Sequence, residues 1–235
     1  MARMVLTGIV VVGLVGSAIA ASAASLGLSS SSLSAWSAAV SVPAPAAIAD
    51  DPFVTTGCNQ ALGGTSDSLG NVWLDQGGGW RYHGCDEVRA GIRLPFAHAS
   101  VDVGVSDDIV VSTNLARIST QSNRSGPGLS LFVDGFGDHI YLIYERDQGR
   151  LTLGMYVSGT GTVLAQVDPI SDYPSAVLAV EIRRPILTVL VNGSIVLTHD
   201  MTAEQALFGS NTRFGLEADF DNWSSFGWFR VEILP

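Results

Sequence analysis

The sequence predicts an all-β fold of two antiparallel sheets that pack face to face, a sandwich of the jelly-roll type. From residue 51 onward, short apolar or alternating stretches are separated at regular intervals by turn-forming residues. Almost no stretch has the apolar periodicity of an α-helix. Twelve or more candidate strands fall within fewer than 200 residues, and so many short strands bury their apolar faces most simply by forming two sheets.

Residues 1–24 have the layout of an export leader. Arg3 precedes an apolar run over residues 5–20, and the run ends in the small residues Ala18-Ile19-Ala20. A secretory signal peptide has this order, but the run also approaches the roughly 17 to 20 residues that span a bilayer. We therefore expect a secreted or cell-surface protein with either a cleaved signal peptide or an uncleaved membrane anchor, and no other contact with the membrane.

Residues 25–50 are rich in Ser and Ala and end in Val42-Pro43-Ala44-Pro45-Ala46. Such a stretch buries too little apolar surface to offset the entropy that is lost on ordering. We expect a flexible linker here, followed by a folded domain over residues 51–235.

The two cysteines, Cys58 and Cys85, both follow the leader. An even number of cysteines in an exported chain favours a disulfide. A metal-binding pair is the alternative, but neither a CxxC spacing nor clustered histidines support it. Closing a loop of this size would contribute on the order of 3 kcal/mol to stability.

Strand patterns recur throughout the domain. The clearest hairpin has Asn192-Gly193 as a type I′ turn between residues 186–191 and 194–198, which places Val189 opposite Val196 and Leu190 opposite Ile195. One or two helical turns are expected only over residues 202–208. The other candidate strands are residues 71–75, 79–82, 88–94, 100–105, 109–118, 129–134, 139–146, 150–157, 163–167, 177–183, 213–218 and 225–234.

The strands at 129–134, 139–146 and 150–157 form a meander. If Asp134 pairs with His139 and Glu145 with Arg150, alternate residues face the core. The core face then carries Leu129, Leu131, Val133, Ile140, Leu142, Tyr144, Leu151, Leu153 and Met155. The opposite face carries Phe132, Asp134, His139, Tyr141, Glu145, Arg150, Thr152 and Tyr156, with Tyr141 across from Gly154 and His139 across from Tyr156.

This outward strip combines aromatic rings with charged groups. Ring faces cover the apolar C–H patches of a sugar, and polar groups bind its hydroxyls. The candidate ligand-binding residues are Phe132, Asp134, His139, Tyr141, Arg150 and Tyr156. The alternative is that the rings only stabilise the sheet as cross-strand pairs and are covered by a loop or by another subunit.

Several short motifs follow one another in a particular order. They are Asp51-Pro52-Phe53, Ser68-Leu69-Gly70-Asn71-Val72-Trp73, Gly78-Gly79-Trp80, residues 187–193, residues 195–200, Phe214-Gly215-Leu216 and Phe229-Arg230-Val231. This order resembles concanavalin A-like sandwich domains of the laminin-G-like, pentraxin and glucanase superfamily. The resemblance covers residues 51–235 and implies the same jelly-roll fold, which hosts many functions.

The resemblance also suggests a test for glycanase chemistry. Glucanases of the superfamily carry an E-x-D-x-x-E run on one strand, which supplies the nucleophile and the acid/base. The nearest run here is Glu217-Ala218-Asp219-Phe220-Asp221-Asn222, which ends in Asn where the pattern needs Glu and lies next to the last strand. We therefore expect no catalytic residues, and a glycoside hydrolase remains the alternative.

Members of the superfamily often bind calcium, which makes calcium the candidate cofactor. Carboxylates in sandwich loops are suitable oxygen ligands for this ion. The two ends of the domain are neighbours in this fold, so the candidate ligands are Asp51, Asp219 and Asp221, with Asp50 beside them.

The charged residues exclude one class of binding partner. All twelve cationic residues are arginine, and the net charge is -10. Nucleic acid is therefore excluded as a partner, because few and scattered cations cannot clamp phosphates. Four histidines, at positions 83, 98, 139 and 199, show no metal-type spacing.

The sequence thus predicts an exported, non-catalytic β-sandwich module that binds glycan or another surface ligand. One alternative is a glucanase-type hydrolase, which requires Glu217 and Asp219 to share a groove with Tyr141 or Trp228. The other is a structural or adhesive surface component without a small ligand.

Overall fold

The computed structural model describes residues 45–118, 126–168, 170–171, 173–221 and 223–235. These residues belong to the compact unit Pro45–Pro235. The expected leader at residues 1–24 and most of the expected linker lie outside the described residues, so both stay predictions. Within the described ranges, no helix is long and apolar enough to cross a membrane.

Fifteen strands are found in the described residues, with one short 3-10 helix at Arg146–Gln148 and one helical turn, α1, at Gln205–Phe208. In chain order the strands are β1 (Ala47–Asp51), β2 (Leu74–Gln76), β3 (Arg81–His83), β4 (Glu87–Arg89), β5 (Ala97–Asp102), β6 (Ile109–Arg117), β7 (Gly126–Val133), β8 (His139–Glu145), β9 (Arg150–Val157), β10 (Thr160–Val167), β11 (Ala176–Arg183), β12 (Ile186–Val191), β13 (Ser194–Asp200), β14 (Arg213–Asp219) and β15 (Ser225–Ile233).

These strands form two antiparallel sheets, which confirms the predicted all-β sandwich. The eight-stranded sheet has the order β13-β12-β11-β6-β15-β4-β3, with β1 paired to β15. The seven-stranded sheet has the order β10-β9-β8-β7-β14-β5-β2. The last two strands of the chain, β14 and β15, therefore lie in opposite sheets. The first strand begins at Ala47, so it includes the last four residues of the expected linker.

The core lies between the two sheets and is built from their inward-facing apolar side chains. The seven-stranded sheet contributes Leu129, Leu131, Ile140, Leu142, Tyr144, Leu151 and Leu153, and Met155 packs at the margin. These are the inward positions that the alternation predicts for the meander, except for Val133, which is buried but does not belong to this core cluster. Alternate residues on three adjacent strands belong to this core cluster, which determines which face of the sheet points away from it.

A bulge near the end of β7 reverses the alternation at Phe132. Its φ is +56°, and the pairing of β14 with β7 shifts between Arg213↔Val133 and Gly215↔Ser130. The Phe132 side chain is fully buried in the core, with its ring centroid 5.2 Å from that of Phe214. The prediction that Phe132 faces outward is therefore wrong, because the extra residue of the bulge turns this ring inward.

Both predicted hairpins form, but part of the β12–β13 hairpin has a different register from the one predicted. His139 pairs with Tyr156 and Glu145 with Arg150, which confirms the predicted register of β8 and β9. In the β12–β13 hairpin, Asn192 and Gly193 both have positive φ, at 50° and 77°, as a type I′ turn requires.

In that β12–β13 hairpin Leu190 pairs with Ile195, as predicted. Val189, however, pairs with Leu197 and not with Val196, because a bulge shifts the register between these two pairs. The predicted disulfide between Cys58 and Cys85 is also present. The helical turn expected over residues 202–208 is shorter than predicted, since α1 covers only Gln205–Phe208.

Candidate functional site

The outward face of the seven-stranded sheet carries the polar and aromatic residues of the meander. On β8 this face presents His139, Tyr141, Ile143 and Glu145, and on β9 it presents Arg150, Thr152, Gly154 and Tyr156. The cause is the two-residue period of a strand, since the residues between them face the core. The predicted strip, apart from Phe132 and Asp134, thus lies on one face of one sheet.

Part of this face forms a groove of about 180 Å³. Strands β8, β9, β10 and β14 line it, together with a residue from the segment before β5. The lining residues are Phe96, Tyr141, Ile143, Glu145, Arg150, Thr152, Val163, Gln166 and Asp219. The groove therefore combines aromatic and aliphatic side chains with two carboxyl groups and one guanidinium.

Phe96 covers part of the predicted strip. Its ring centroid lies 4.9 Å from that of Tyr141 and 4.5 Å from that of Tyr156. As a result the Tyr141 side chain is only 5% exposed, whereas Tyr156 is half-buried at the margin. Sequence reasoning missed Phe96, because it lies outside the strands at a positive φ of 50° and no alternation pattern marks it.

Two glycines allow these rings to lie against the sheet. A Cβ at Gly154 would stand 2.3 Å from the Tyr141 ring atom Cζ, and a Cβ at Gly161 would stand 2.8 Å from the Phe96 atom Cζ. Neither distance leaves room for a side chain. Because Gly154 and Gly161 lack a Cβ, the rings of Tyr141 and Phe96 can pack directly against strands β9 and β10.

A hydrogen-bonded chain crosses β8, β9 and β10 along one side of the groove. Arg150 donates from Nε to Glu145 Oε2 at 2.7 Å and from Nη2 to Oε1 at 3.0 Å. Thr152 Oγ1 donates to Glu145 Oε2 at 2.9 Å and accepts from Gln166 Nε2 at 3.1 Å. The hydrogen bond to Glu145 raises the pKa of Arg150. The bidentate pair fixes the guanidinium in place and leaves its remaining N–H groups for another acceptor.

Asp219, the last residue of β14, supplies a second carboxyl group to the groove. Its Oδ1 accepts a hydrogen bond from the Phe96 backbone N–H at 3.2 Å. Burial, with the nearby charges of Glu217 and Glu145, raises the pKa of Asp219 to about 7. Burial and the same carboxylates also raise the pKa of Tyr141 to about 12. The groove therefore contains an acid whose charge changes near neutral pH and a phenol that stays protonated.

The residues predicted as calcium ligands do not come together. Asp51 accepts hydrogen bonds from the Phe53 backbone N–H and from Trp73 Nε1, both at 2.8 Å. Asp221 accepts from the backbone N–H groups of Trp223 and Ser224, at 2.8 and 3.1 Å. Asp219 lies in the groove of the other sheet. The two ends of the domain do meet, as expected, because β1 pairs with β15. Asp219, however, ends β14, which belongs to the opposite sheet.

Two more residues of the predicted strip have other surroundings. Asp134 Oδ1 accepts from the backbone N–H groups of Phe136 and Asp138, at 2.8 and 2.9 Å, and so stabilises the turn between β7 and β8. His139 is fully buried, with Nε2 3.1 Å from Glu217 Oε2. Neither side chain lines the groove.

A possible set of metal ligands exists beside the groove. His98, His139 and Glu217 are buried and bring one ligand atom each to within 4.8 Å of one another. In the described parts of the chain, no other group of three or more histidine, cysteine or acidic side chains meets this criterion. The residues come from three strands far apart in sequence, so spacing alone could not have indicated them.

Comparisons with known proteins give a fold and no family. No protein-family model and no curated protein matches the sequence. Among solved structures, a carbohydrate-binding module, CBM66 from Bacillus subtilis, aligns over 77% of this chain and 99% of its own, with 16% identity and a TM-score of 0.51.

Two further structures align more loosely. A Bacillus subtilis protein of unknown function with a galectin-like fold covers 80% of this chain and 96% of its own, at 12% identity and a TM-score of 0.48. The exoplasmic/lumenal domain of VIP36, solved with Ca²⁺ and Man3GlcNAc, covers 69% and 84%, at 14% identity and a TM-score of 0.48. At these scores neither carries an argument. The CBM66 alignment shows the sandwich fold alone, which is consistent with the concanavalin A-like resemblance of the sequence.

Proposed function

We propose that this domain is an exported, non-catalytic module of the concanavalin A-like type that binds glycan, and that the groove on its seven-stranded sheet is the binding surface. One observation carries the proposal: the groove places the Tyr141 and Phe96 rings beside the fixed Arg150–Glu145 pair and the Asp219 carboxyl. Aromatic and aliphatic surface next to charged hydrogen-bonding groups is the combination that a sugar ring requires.

Each part of the groove has a role toward a sugar. The apolar C–H groups of the ring pack on Phe96, Ile143 and Val163, while the free N–H groups of Arg150 donate to sugar oxygens. Asp219 and the Gln166 amide take part in hydrogen bonds with hydroxyl groups. Pockets for drug-sized ligands have volumes of about 300 to 1,000 Å³, so a groove of about 180 Å³ fits a single sugar unit, such as the end of a chain.

The fold supports the same class of function without proving it. The similar Bacillus subtilis structure is, by its name, a carbohydrate-binding module. Sandwich folds host many unrelated functions, however, so the groove must carry the functional argument. The proposal that the domain is exported and displayed on a linker is based on the sequence of residues 1–24 and 25–50.

A glycan array, probed with and without calcium, tests this proposal. We expect a defined set of saccharides to bind. If binding requires calcium, the ion expected from the resemblance is part of the site. Failure to bind any saccharide under either condition would contradict the proposal and would support the structural or adhesive alternative, in which the cover that Phe96 forms over Tyr141 serves only stability.

A glycoside hydrolase is the second candidate, because two carboxyl groups, Asp219 and Glu145, line the same groove. The pKa of Asp219, raised to about 7, suits a general acid. Glu145, in contrast, is already bound by Arg150 and Thr152 and is not free to attack. Release of reducing sugar from β-glucans by the wild type, but not by Asp219→Asn, would establish the enzyme; no release by the wild type excludes it for these substrates.

A further inference from the structure

Beside the groove, three buried side chains from distant strands face one another. His98 lies on β5, His139 on β8 and Glu217 on β14. His139 and Glu217 have no exposed side-chain surface, and His98 is 4% exposed. Polar groups buried this deeply need partners, because an unpaired charge is costly away from water.

Both histidine rings are oriented in the same way, by a contact between Nδ1 and a backbone carbonyl oxygen. Nδ1 of His98 lies 3.2 Å from the Phe96 carbonyl oxygen, and Nδ1 of His139 lies 2.7 Å from the Gly137 carbonyl oxygen, in each case two residues upstream. A carbonyl oxygen only accepts, so the proton of each neutral ring belongs on Nδ1. Each Nε2 is left with a lone pair. This contact to a carbonyl is how proteins commonly orient histidines that bind metal through Nε2.

The contact between His139 and Glu217 is incomplete. Nε2 and Oε2 are 3.1 Å apart, but they are not aligned as a hydrogen bond, and both Glu217 oxygens lack a hydrogen-bond partner. A lone pair and a carboxylate repel each other unless a cation lies between them. That cation is either a proton or a metal ion.

The second imidazole favours the metal ion. The His98 ring centroid lies 4.6 Å from that of His139, and the ligand atoms of the three side chains lie within 4.8 Å of one another. His98 Nε2 also lies 2.9 Å from the Gln76 side-chain amide, which can present either its NH2 group or its oxygen and so fits either histidine tautomer. One proton between His139 and Glu217 serves only two of the three clustered side chains. A divalent cation can be bound by both Nε2 atoms and the carboxylate at once.

We propose that His98, His139 and Glu217 bind one divalent transition-metal ion of the zinc type. Two imidazoles and one carboxylate are a ligand set that Zn²⁺ accepts, whereas Ca²⁺ takes oxygen ligands. The ion joins β5, β8 and β14 on the outward face of the seven-stranded sheet. This site shares no residue with the lining of the groove, and it uses none of the residues expected to bind calcium.

Metal uptake by the protein after removal of bound metal with a chelator tests this site. Equilibrium dialysis against Zn²⁺, followed by mass-spectrometric metal analysis, is expected to give one ion per chain. Co²⁺ in its place is expected to give the visible absorption bands of a nitrogen- and oxygen-bound ion. Zn²⁺ is also expected to raise the unfolding temperature, because an ion that binds only the folded state stabilises it.

Variants assign the ion to these residues. We expect His98→Ala and His139→Ala to weaken Zn²⁺ binding at least tenfold. The matched control is His199→Ala, because His199 faces Glu204 at 3.6 Å in a pair without a second imidazole. This control is expected to bind Zn²⁺ like the wild type.

Three results would overturn the proposal: no stoichiometric Zn²⁺ in the wild type, unchanged affinity in both variants, or displacement of Zn²⁺ by an equal concentration of Ca²⁺. If the variants do not fold, Co²⁺ absorption by the wild type alone tests the proposal. The lack of these absorption bands would show that the cluster is only a proton-linked ion pair.

Discussion

Tyr141 and Gly154 lie directly opposite each other on β8 and β9, and the tyrosine ring occupies the space that a side chain at position 154 would need. The ring closes one side of the groove through this contact. Its position therefore depends on a residue that contributes no chemical group of its own.

Gly154→Ala tests that dependence. The new Cβ would stand 2.3 Å from the Tyr141 atoms Cζ and Oη, so the ring has to move. We expect glycan affinity to fall at least tenfold while every polar group of the groove is retained. Gly135→Ala is the matched control, because a Cβ there meets no atom within 4 Å. Equal affinity of both variants in calorimetric titration would argue against a role for the Tyr141 ring.

Asp219 is expected to make stability depend on pH. Its pKa is raised to about 7 in the folded protein from 3.8, so the folded state holds this proton more tightly than the unfolded chain. Stability from this group is therefore complete below about pH 4 and is lost as the pH rises to about 7. One pKa unit corresponds to about 1.4 kcal/mol, and partial exposure to the groove reduces the effect to on the order of 2 kcal/mol.

Asp219→Asn is expected to remove this part of the pH dependence. Urea unfolding of chelator-treated wild type and variant across the window measures the difference. The charged neighbours are Glu217, Glu145 and Arg150, which stay unchanged in both proteins. Asp86→Asn, an exposed control, should keep the wild-type slope. Identical slopes for wild type and Asp219→Asn would show that the Asp219 pKa is not raised.

Phe132 is expected to matter for stability and not for binding. The ring is fully buried against Phe214, and the Arg184 guanidinium lies 5.4 Å from its centroid. Phe132→Ala should lower the free energy of unfolding by about 3 to 5 kcal/mol. Phe136→Ala, in the following turn and 97% exposed, should change it by less than about 0.5 kcal/mol. Denaturant titration distinguishes the two, and a small loss for Phe132→Ala would place this ring outside the core.

The sequence was sufficient for the β8–β9 part of the meander, because alternation there is regular. The predicted pairing of Asp134 with His139 is wrong, since Leu131 pairs with Ile140 and shifts the β7–β8 register by two residues. The inward residues Leu129, Leu142 and Leu153 and the pairing of Glu145 with Arg150 all follow from a two-residue period and a short turn. The same rule fails at Phe132, since one extra residue in a bulge reverses every later side chain and leaves no mark in the sequence.

The candidate site was less predictable because it depends on contacts between distant segments. Phe96 reaches the groove from a segment outside the strands. Asp219 reaches it because β14 belongs to the seven-stranded sheet, whereas the next strand, β15, belongs to the other sheet. His98, His139 and Glu217 meet only when three strands are assembled. Sheet assignment and long-range pairing determine such contacts, and local patterns do not encode them.

Arg150 is the residue through which the groove is proposed to bind glycan. The most direct test of this role is isothermal titration of a saccharide selected on the array into the wild type, Arg150→Ala and Arg183→Ala. Arg183 is the matched control, because it forms an exposed ion pair with Asp108 at 3.4 Å on the other sheet. We expect Arg150→Ala to bind at least tenfold more weakly and Arg183→Ala to bind like the wild type. Equal affinity of Arg150→Ala and the wild type would contradict glycan binding through this guanidinium.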